Sequence, residues 1–423
     1  MRISDHFASR AAFLALFALL SFDAAGGPGD GVEVASWVFS PYLDLKFAYD
    51  SNIYKDRYDE IEDTFFEPEL GLRFSSSSET NYFTVRGNLF YSDRDYTKEE
   101  NRDLDTYGDN IMVQWGNGRR SLIELIQSYR HLDDLDRHSA DIESSELAGE
   151  MVEDSNTLDL ERDVNQFGAA VSRRMSDKLD LGLSYRYSGV HYDNTTHYRL
   201  DPKDLGVPPG LDLDGHIWQL DGSLGLTDKT DAILTLRQGL QYQEDTEGSA
   251  KLTTARLGLK TEGTEKLVHH FGVGVERYER PQETEDEAEV TFNFNAALDW
   301  YITEKLTLRG GGFNGTQFSS FYEGNGLEYI SGWAGLGYRW KPSLTFSLRG
   351  VYREDDYLDP VTHQGVTKDR HDTRMEGHVR IDYVAPGQFL RFYLEATYDE
   401  VESNFDFVEY VDRRIMAGVN IRY

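Results

Sequence analysis

The sequence contains no cysteine. The chain therefore has no disulfide, no haem attachment site, no thiolate metal site and no residue to carry the lipid of a lipoprotein. Long hydrophobic runs are also scarce, because after about residue 26 charge interrupts every apolar stretch, and the mean hydropathy is -0.57. That part of the sequence offers no candidate for a transmembrane helix.

Basic residues are in the minority, with 43 Lys and Arg against 75 Asp and Glu and a net charge of -32. Nucleic-acid binding requires a basic surface, so we expect no nucleic-acid partner. The sequence also lacks a P-loop, a Rossmann glycine pattern after a strand and a His-Glu-x-x-His motif. We expect no enzyme, catalytic residue, metal or cofactor, although a triad assembled in space stays open because sequence order does not reveal it.

The first 26 residues have the three parts of a secretory signal peptide. Arg2 and Arg10 supply positive charge, and the apolar run from Ala11 to Phe22 is too short to span a bilayer. Small residues follow at 24–26. We predict a signal peptide over residues 1–26 and a single structural domain over residues 27–423.

From about residue 36 to the end, polar and apolar residues alternate. In the first such stretch Leu43, Leu45 and Phe47 alternate with Asp44 and Lys46. A period of two gives a strand one apolar and one polar face. About 18 segments of this kind follow one another, and we read the apolar face as lipid-facing and the polar face as lumen-facing.

Short turns and long loops alternate between these segments. Nine longer, mostly acidic loops separate the hairpins, and ten Asp or Glu against one Arg lie between His131 and Leu160. The eight short turns are at residues 76–78, 116–118, 176–178, 227–229, 264–266, 303–305, 341–343 and 386–388. This pattern predicts an all-β fold, a transmembrane antiparallel β-barrel of about 18 strands with short periplasmic turns and long acidic extracellular loops. The loop charge fits solvated, repulsive loops or divalent-cation and lipopolysaccharide contacts.

Aromatic residues mark both ends of the predicted strands. Tyrosines recur near the long loops, and four tryptophans lie at the opposite ends: Trp37, Trp115, Trp300 and Trp340. Two aromatic bands are typical of the two membrane interfaces, so we expect outer-membrane lipids and lipopolysaccharide as partners. The alternating apolar residues that end at Tyr423 resemble the signal read by the barrel-assembly machinery, which we expect as a further partner.

Nine arginines lie on the polar phase of their strands: Arg73, Arg86, Arg186, Arg237, Arg256, Arg309, Arg349, Arg380 and Arg391. One interpretation is a basic band in the periplasmic half of the bore that attracts phosphate, carboxylates or uronic-acid polymers. The other is cross-strand pairing with carboxylates that order the wall. Those candidate carboxylates are Glu67, Glu69, Glu124, Glu276, Glu376, Glu395, Asp180 and Asp382. Both can hold at once.

The residues Tyr49-Asp50-Ser51-Asn52-Ile53-Tyr54 end the first strand. This hexapeptide resembles the Tyr-Asp-Ser-Asn-hydrophobic opening of the putative β-barrel porin type 2 family. The resemblance implies an outer-membrane barrel, and some members of that family are linked to exopolysaccharide biosynthesis and export. It implies no catalytic residue.

Together these features predict a porin-like channel in the bacterial outer membrane, with hydrophilic solutes, polysaccharide or small anions as its cargo. Exopolysaccharide export is the finer hypothesis. An outer-membrane enzyme with an active site at the rim, or a structural or adhesive barrel with a plugged lumen, are the alternatives.

Overall fold

The computed structural model describes residues 31–55, 57, 60–78, 83–99, 104–116, 120–132, 162–192, 212–243, 249–264, 266–280, 288–318, 326–363, 366–405 and 408–423. The predicted signal peptide and most of the acidic loop between His131 and Leu160 lie outside the described residues.

The strands in chain order are β1 Val32–Val34, β2 Trp37–Asp50, β3 Asp63–Ser78, β4 Phe83–Tyr96, β5 Leu104–Gly116, β6 Ser121–Leu132, β7 Arg162–Arg174, β8 Leu179–Tyr192, β9 Leu213–Thr227, β10 Thr230–Gln243, β11 Ala250–Thr264, β12 Leu267–Glu279, β13 Glu289–Tyr301, β14 Leu306–Phe318, β15 Gly326–Lys341, β16 Leu344–Tyr357, β17 Val361–His363, β18 Val366–Lys368, β19 His371–Val384, β20 Leu390–Ser403 and β21 Tyr410–Arg422.

Eighteen of these strands form one closed antiparallel barrel, in which each strand pairs with its sequence neighbours. The barrel strands are β2 to β16 and β19 to β21. Closure comes from β2, which pairs with β3 on one side and with β21 on the other, from Tyr42 opposite Arg422 to Asp50 opposite Arg414. The predicted fold and the predicted 18 strands are confirmed. The remaining strands are β1, which extends the β2 edge, and the small β17–β18 hairpin.

The outer face of the barrel is apolar. Leu183, Leu257 and Leu348 are 60%, 65% and 52% exposed, and each lies on the strand phase opposite to the charged residues. So much exposed apolar surface on every side of a closed sheet is stable only in lipid, which identifies a transmembrane barrel. No helix in the described part of the chain is both long and apolar enough to cross a membrane.

One end of the barrel, here the turn rim, carries the short connections that the sequence analysis predicts to face the periplasm. The recurring Ser/Thr-acid-Lys turns share one local structure, in which the hydroxyl oxygen accepts the backbone N–H of the lysine two residues on. The four pairs are Ser176 with Lys178, Thr227 with Lys229, Thr264 with Lys266, and Thr303 with Lys305. The repeated Ser/Thr-acid-Lys sequence therefore specifies the turn itself.

The first predicted turn, at Ser76–Ser78, is wrong. These serines extend β3, where Ser76 lies opposite Val85 and Ser78 opposite Phe83. Serine is as compatible with an extended edge as with a turn, so composition alone placed the turn too early. The connection itself lies outside the described residues.

The opposite end of the barrel, here the loop rim, carries the long connections. Apolar side chains from the ends of strands and from the connections pack together there. One cluster joins Leu327, Tyr357, Val361, Phe405 and Val408, and a second joins Ile53 to Phe65, Tyr96 and Leu104. These contacts hold Ile53, Val361, Phe405 and Val408 of the connections against inward-facing side chains at the loop ends of the strands.

Candidate functional site

The register of the barrel shows which side chains face the bore. Residues directly opposite each other in an antiparallel pair share one face of the sheet. On β2 the inward phase contains Tyr42, Ala48 and Asp50, which are 3%, 6% and 1% exposed. Following the pairing strand by strand around the barrel places all nine predicted arginines on this inward phase.

Six of these arginines lie towards the turn rim, and Arg186, Arg237 and Arg256 lie near the middle of their strands. Arg391 is one residue from the start of β20 at Leu390, and Arg256 is eight residues from the end of β11 at Thr264. The other seven fall between these limits. We call the half of the bore nearer the turn rim the turn-side half and the other half the loop-side half.

Three of the nine arginines are bound to carboxylates. Arg380 contacts Glu395 at 2.8 Å and Asp382 at 3.1 Å. Arg391 contacts the same Asp382 at 2.9 Å, and Arg309 contacts Asp299 at 3.2 Å. Here the cross-strand pairing interpretation describes the geometry.

Two others donate to amide oxygens. Arg186 donates to Gln219 Oε1 at 3.1 Å, and Arg256 Nε donates to Asn293 Oδ1 at 2.7 Å. Arg237 lies between Gln219 and Thr254 in the strand register. Amide and hydroxyl groups therefore lie beside these three arginines in the register and help to orient their guanidinium groups.

Arg73, Arg86 and Arg349 are exposed, and among the described residues none of them contacts a carboxylate. Arg73 lies 4.9 Å from the ring centroid of Tyr42, and Arg349 lies 5.9 Å from that of Trp333. Inward-facing rings thus support two of these guanidinium groups by cation–π contact and leave donors available to the bore.

Gly311 makes room for the tryptophan beneath Arg349. A Cβ atom at Gly311 would lie 2.8 Å from Trp333 Nε1 and 2.7 Å from the carbonyl oxygen of Ala296. Gly311 is the middle residue of a run of three glycines in β14, and at this position the absence of a side chain allows close packing.

Most of the carboxylates named as candidate partners bind other groups. Glu67 and Glu69 contact Lys46 at 2.6 and 2.9 Å, and Glu67 also contacts Arg94 at 2.7 Å. The other four each have a contact outside the nine arginines: Glu124 with Gln114, Glu276 with Thr254, Glu376 with Arg374 and Asp180 with Arg174. These contacts leave part of the predicted basic band without counter-charge.

In the loop-side half, three inward-facing arginines are shielded from solvent and paired with carboxylates. Arg94 and Arg374 are 7% and 9% exposed. Arg374 contacts Asp399 at 3.3 Å, and Arg414 contacts the buried Asp50 at 3.0 Å. We did not single out these arginines from the sequence. Their inward parity was readable there, but their burial depends on connections folding over the loop rim.

The hexapeptide from Tyr49 to Tyr54 links the first barrel strand to the last, and we call this link the clasp. Ser51 N–H donates to the Arg413 carbonyl at 3.0 Å, and Arg413 N–H donates back to Ser51 Oγ at 2.8 Å. Asn52 is fully buried and donates from Nδ2 to the Val411 carbonyl at 3.0 Å. Asp50 accepts the Asn52 N–H at 2.9 Å, and Tyr49 on the outer face donates to Glu62 at 2.6 Å.

The four predicted interface tryptophans lie near the turn rim on the outward phase. Trp115, Trp300 and Trp340 are 56%, 43% and 55% exposed. Trp37 stacks on Phe39 with ring centroids 6.1 Å apart. Their indole N–H groups are therefore placed at one edge of the apolar belt, where interfacial tryptophans lie. Tyr423 N–H donates to the Pro41 carbonyl at 3.1 Å and extends the closing seam.

The loop rim brings a histidine, carboxylates and a serine near one cavity of about 450 Å³. His371 Nδ1 contacts Asp356 at 2.6 Å, but the Ser403 hydroxyl donates to Asp372 at 2.6 Å. No contact joins Ser403 to His371 in this described region, so the serine is not placed as a nucleophile. Across the described residues no group of three or more histidines and carboxylates could hold a metal ion.

No protein-family profile and no curated protein matches the sequence. Several solved structures have a similar chain trace. OccAB4 of Acinetobacter baumannii is 11% identical with a TM-score of 0.45, and the match covers 91% of this chain and 98% of that one. OpdQ of Pseudomonas aeruginosa is 13% identical with a TM-score of 0.45 over 91% and 98% of the two chains.

OccK3 (OpdO) of Pseudomonas aeruginosa is 14% identical, with a TM-score of 0.44 over 91% of this chain and 95% of that one. Similarities of this size say nothing about cargo or activity. The geometry of the bore, and not these likenesses, therefore carries the functional inference.

Proposed function

We propose that the chain forms an outer-membrane channel that passes hydrophilic solutes and prefers anions. The observation that carries this proposal is the state of the turn-side arginines. Arg73, Arg86 and Arg349 face inward, are exposed, and contact no carboxylate among the described residues. Uncompensated positive charge inside a low-dielectric wall concentrates anions in the passage and repels cations.

The size of the barrel supports the proposal. Barrels of 16 to 18 strands enclose more space than the side chains of the wall fill and leave an aqueous channel. The exposure of Arg73 and Arg349 on the inward phase fits water in the turn-side half of this bore. The apolar outer face supports a membrane location, and closed transmembrane barrels of this kind are outer-membrane structures.

The finer proposal is that the anion is a group on a polysaccharide and that the channel serves exopolysaccharide export. The hexapeptide from Tyr49 to Tyr54 supports this through its resemblance to the porin type 2 family. Inward-facing Tyr42 and Trp333 beside arginines also suit a uronic-acid polymer, because aromatic faces and guanidinium groups bind sugars and carboxylates respectively.

A plugged structural or adhesive barrel is the second candidate. The observation that favours it is the apolar cluster of Leu327, Tyr357, Val361, Phe405 and Val408, which holds two connections against inward-facing side chains at the loop rim. A barrel closed by such connections would be silent in an electrical recording, whereas a channel would not.

Single-channel recording in a planar lipid bilayer separates the candidates. We expect stepwise openings with a higher permeability to chloride than to potassium. Arg349→Glu should shift the reversal potential towards cations, because it replaces an inward positive charge with a negative one. Arg413→Glu makes the same charge change on the outward phase and should leave the reversal potential near that of the wild type. Silence from correctly folded protein would favour the plugged barrel.

A further inference from the structure

A concavity of about 360 Å³ lies in the turn-side wall between β2 and β5. No carboxylate is among the residues that line it, although the chain has 75 acidic residues. Its polar lining consists of Ser40, Ser75, Asn88, Asn110, Arg73 and Arg86. The concavity is therefore a basic and hydrogen-bonding surface within a strongly acidic protein.

The strand register fixes the two arginines on one face. Arg86 lies opposite Ser75, and Arg73 lies opposite Asn88 on β4 and Ser40 on β2. The two arginines are thus diagonal neighbours on adjacent strands, a relation that places Cα atoms about 7–8 Å apart. Both side chains are long enough to reach one ligand between them.

The electrostatics of this pair differ from those of the ion-paired arginines. Arg73 rests on the ring of Tyr42, and Arg86 has no ion pair among the described residues. Two neighbouring cations without counter-charge repel each other, and a bound anion removes that repulsion. Sheet geometry holds the pair in place, so little reorganisation is needed for an anion to bind.

We propose that this concavity is a binding subsite for a single oxyanion group: a phosphate, a sulfate or a carboxylate. Guanidinium groups bind such oxygens through paired N–H donors, and the serine hydroxyls and asparagine amides add neutral donors. The subsite proposal depends on the proposed function in one respect, because the subsite is a place in the bore where a permeating anion binds transiently. The oxyanion arrives either as a free ion or as a charged group of a polysaccharide.

Titration with inorganic phosphate tests the subsite directly. The barrel is folded in a detergent without a phosphate headgroup, at low ionic strength, and binding is followed by the line width of the 31P NMR signal. We expect saturable binding at one site. Arg86→Gln and Arg73→Gln should each weaken binding about tenfold, which corresponds to about 1.4 kcal/mol.

The matched control is Lys260→Gln. Lys260 is an exposed, inward-facing cation on β11, seven strands along the wall from β4, and its loss should leave phosphate affinity within about twofold of wild type. Electrophoretic mobility without heating verifies that every variant is folded. Equal affinity of Arg86→Gln and wild type, or the absence of saturable binding to folded wild type, would overturn the proposal.

Competition by an oligouronate distinguishes the two sources of the oxyanion. If the oligouronate displaces phosphate far better than acetate does at equal carboxylate concentration, the oxyanion is a group on a polymer. If the oligouronate and acetate displace phosphate equally well, the oxyanion is a free small ion. Conductance of the same preparation separates this inference from the proposed function. If the barrel conducts but has no phosphate site, only the subsite proposal is refuted. If the barrel does not conduct but binds phosphate, only the channel proposal is refuted.

Discussion

In the loop-side half of the bore Arg94, Arg374 and Arg414 are largely shielded from solvent and each contacts a carboxylate. In the turn-side half Arg73 and Arg86 face the same bore but are exposed and lack such a contact among the described residues. Residue type and strand parity are the same in the two halves. What differs is the access of water.

That difference follows from the cost of burying charge. A buried guanidinium without a partner loses its hydration, so folding tolerates it only beside a carboxylate. A guanidinium that stays in water needs no partner and remains available for solutes. The comparison distinguishes shielded, paired cations near the loop rim, which stabilise the fold, from exposed cations near the turn rim. Not all turn-side cations are available to solutes, because Arg309, Arg380 and Arg391 are paired with carboxylates.

The largest expected effect comes from breaking a buried pair. Arg370 is 2% exposed, contacts Asp372 at 2.9 Å and lies over the ring of Tyr357. Arg370→Ala leaves Asp372 buried without this cation, and we expect a loss of about 3 kcal/mol in the free energy of unfolding. Urea unfolding in lipid vesicles measures it. Arg413→Ala, on the exposed outer face, is the control. An equal loss of unfolding free energy in both variants would refute the distinction between buried and exposed cations.

A smaller loss is expected at the clasp. Asn52→Ala removes the hydrogen bond to the Val411 carbonyl, and we expect about 1–2 kcal/mol of destabilisation. Protease cleavage within residues 51–62 should quicken as Ile53 leaves its apolar cluster. Gln238→Ala, at an exposed outward position, should change neither quantity. Unchanged cleavage of the Asn52 variant would show that the clasp does not hold this connection.

The sequence predicted the 18 strands, the inward parity of the nine arginines and the repeated turns, because each is a local or periodic property. It did not predict which arginines are paired. Asp382 serves Arg380 and Arg391 together, while Glu67 takes Lys46. Pairing depends on register and burial, which arise from contacts between distant segments. The displaced turn at Ser76–Ser78 shows the same limit, since serine does not specify where a strand ends.

The smallest expected effect is a difference in how the two halves of the bore respond to salt. Raising ionic strength from 0.1 to 1 M shortens the Debye length from about 10 to 3 Å. Anion preference should therefore decline in bilayer recordings, because it depends on exposed turn-side cations. Unfolding free energy, which depends on shielded loop-side pairs, should change much less. A preference that is insensitive to salt would indicate that sieving by size, not charge, selects the solute.

Thiol labelling tests the central claim most directly, and the absence of native cysteine makes it clean. Ser75→Cys places a thiol on the inward phase opposite Arg86, and Ser92→Cys places one at a position that is 5% exposed. Each rate is divided by the rate of the same reagent with a free thiol in solution. We predict that Ser75→Cys then favours an anionic sulfonate-bearing thiosulfonate over its trimethylammonium counterpart, and that Ser92→Cys reacts slowly with both. A normalised rate at Ser75→Cys that favours the cationic reagent, or equal rates at both positions, would contradict a hydrated turn-side half lined by unpaired arginines.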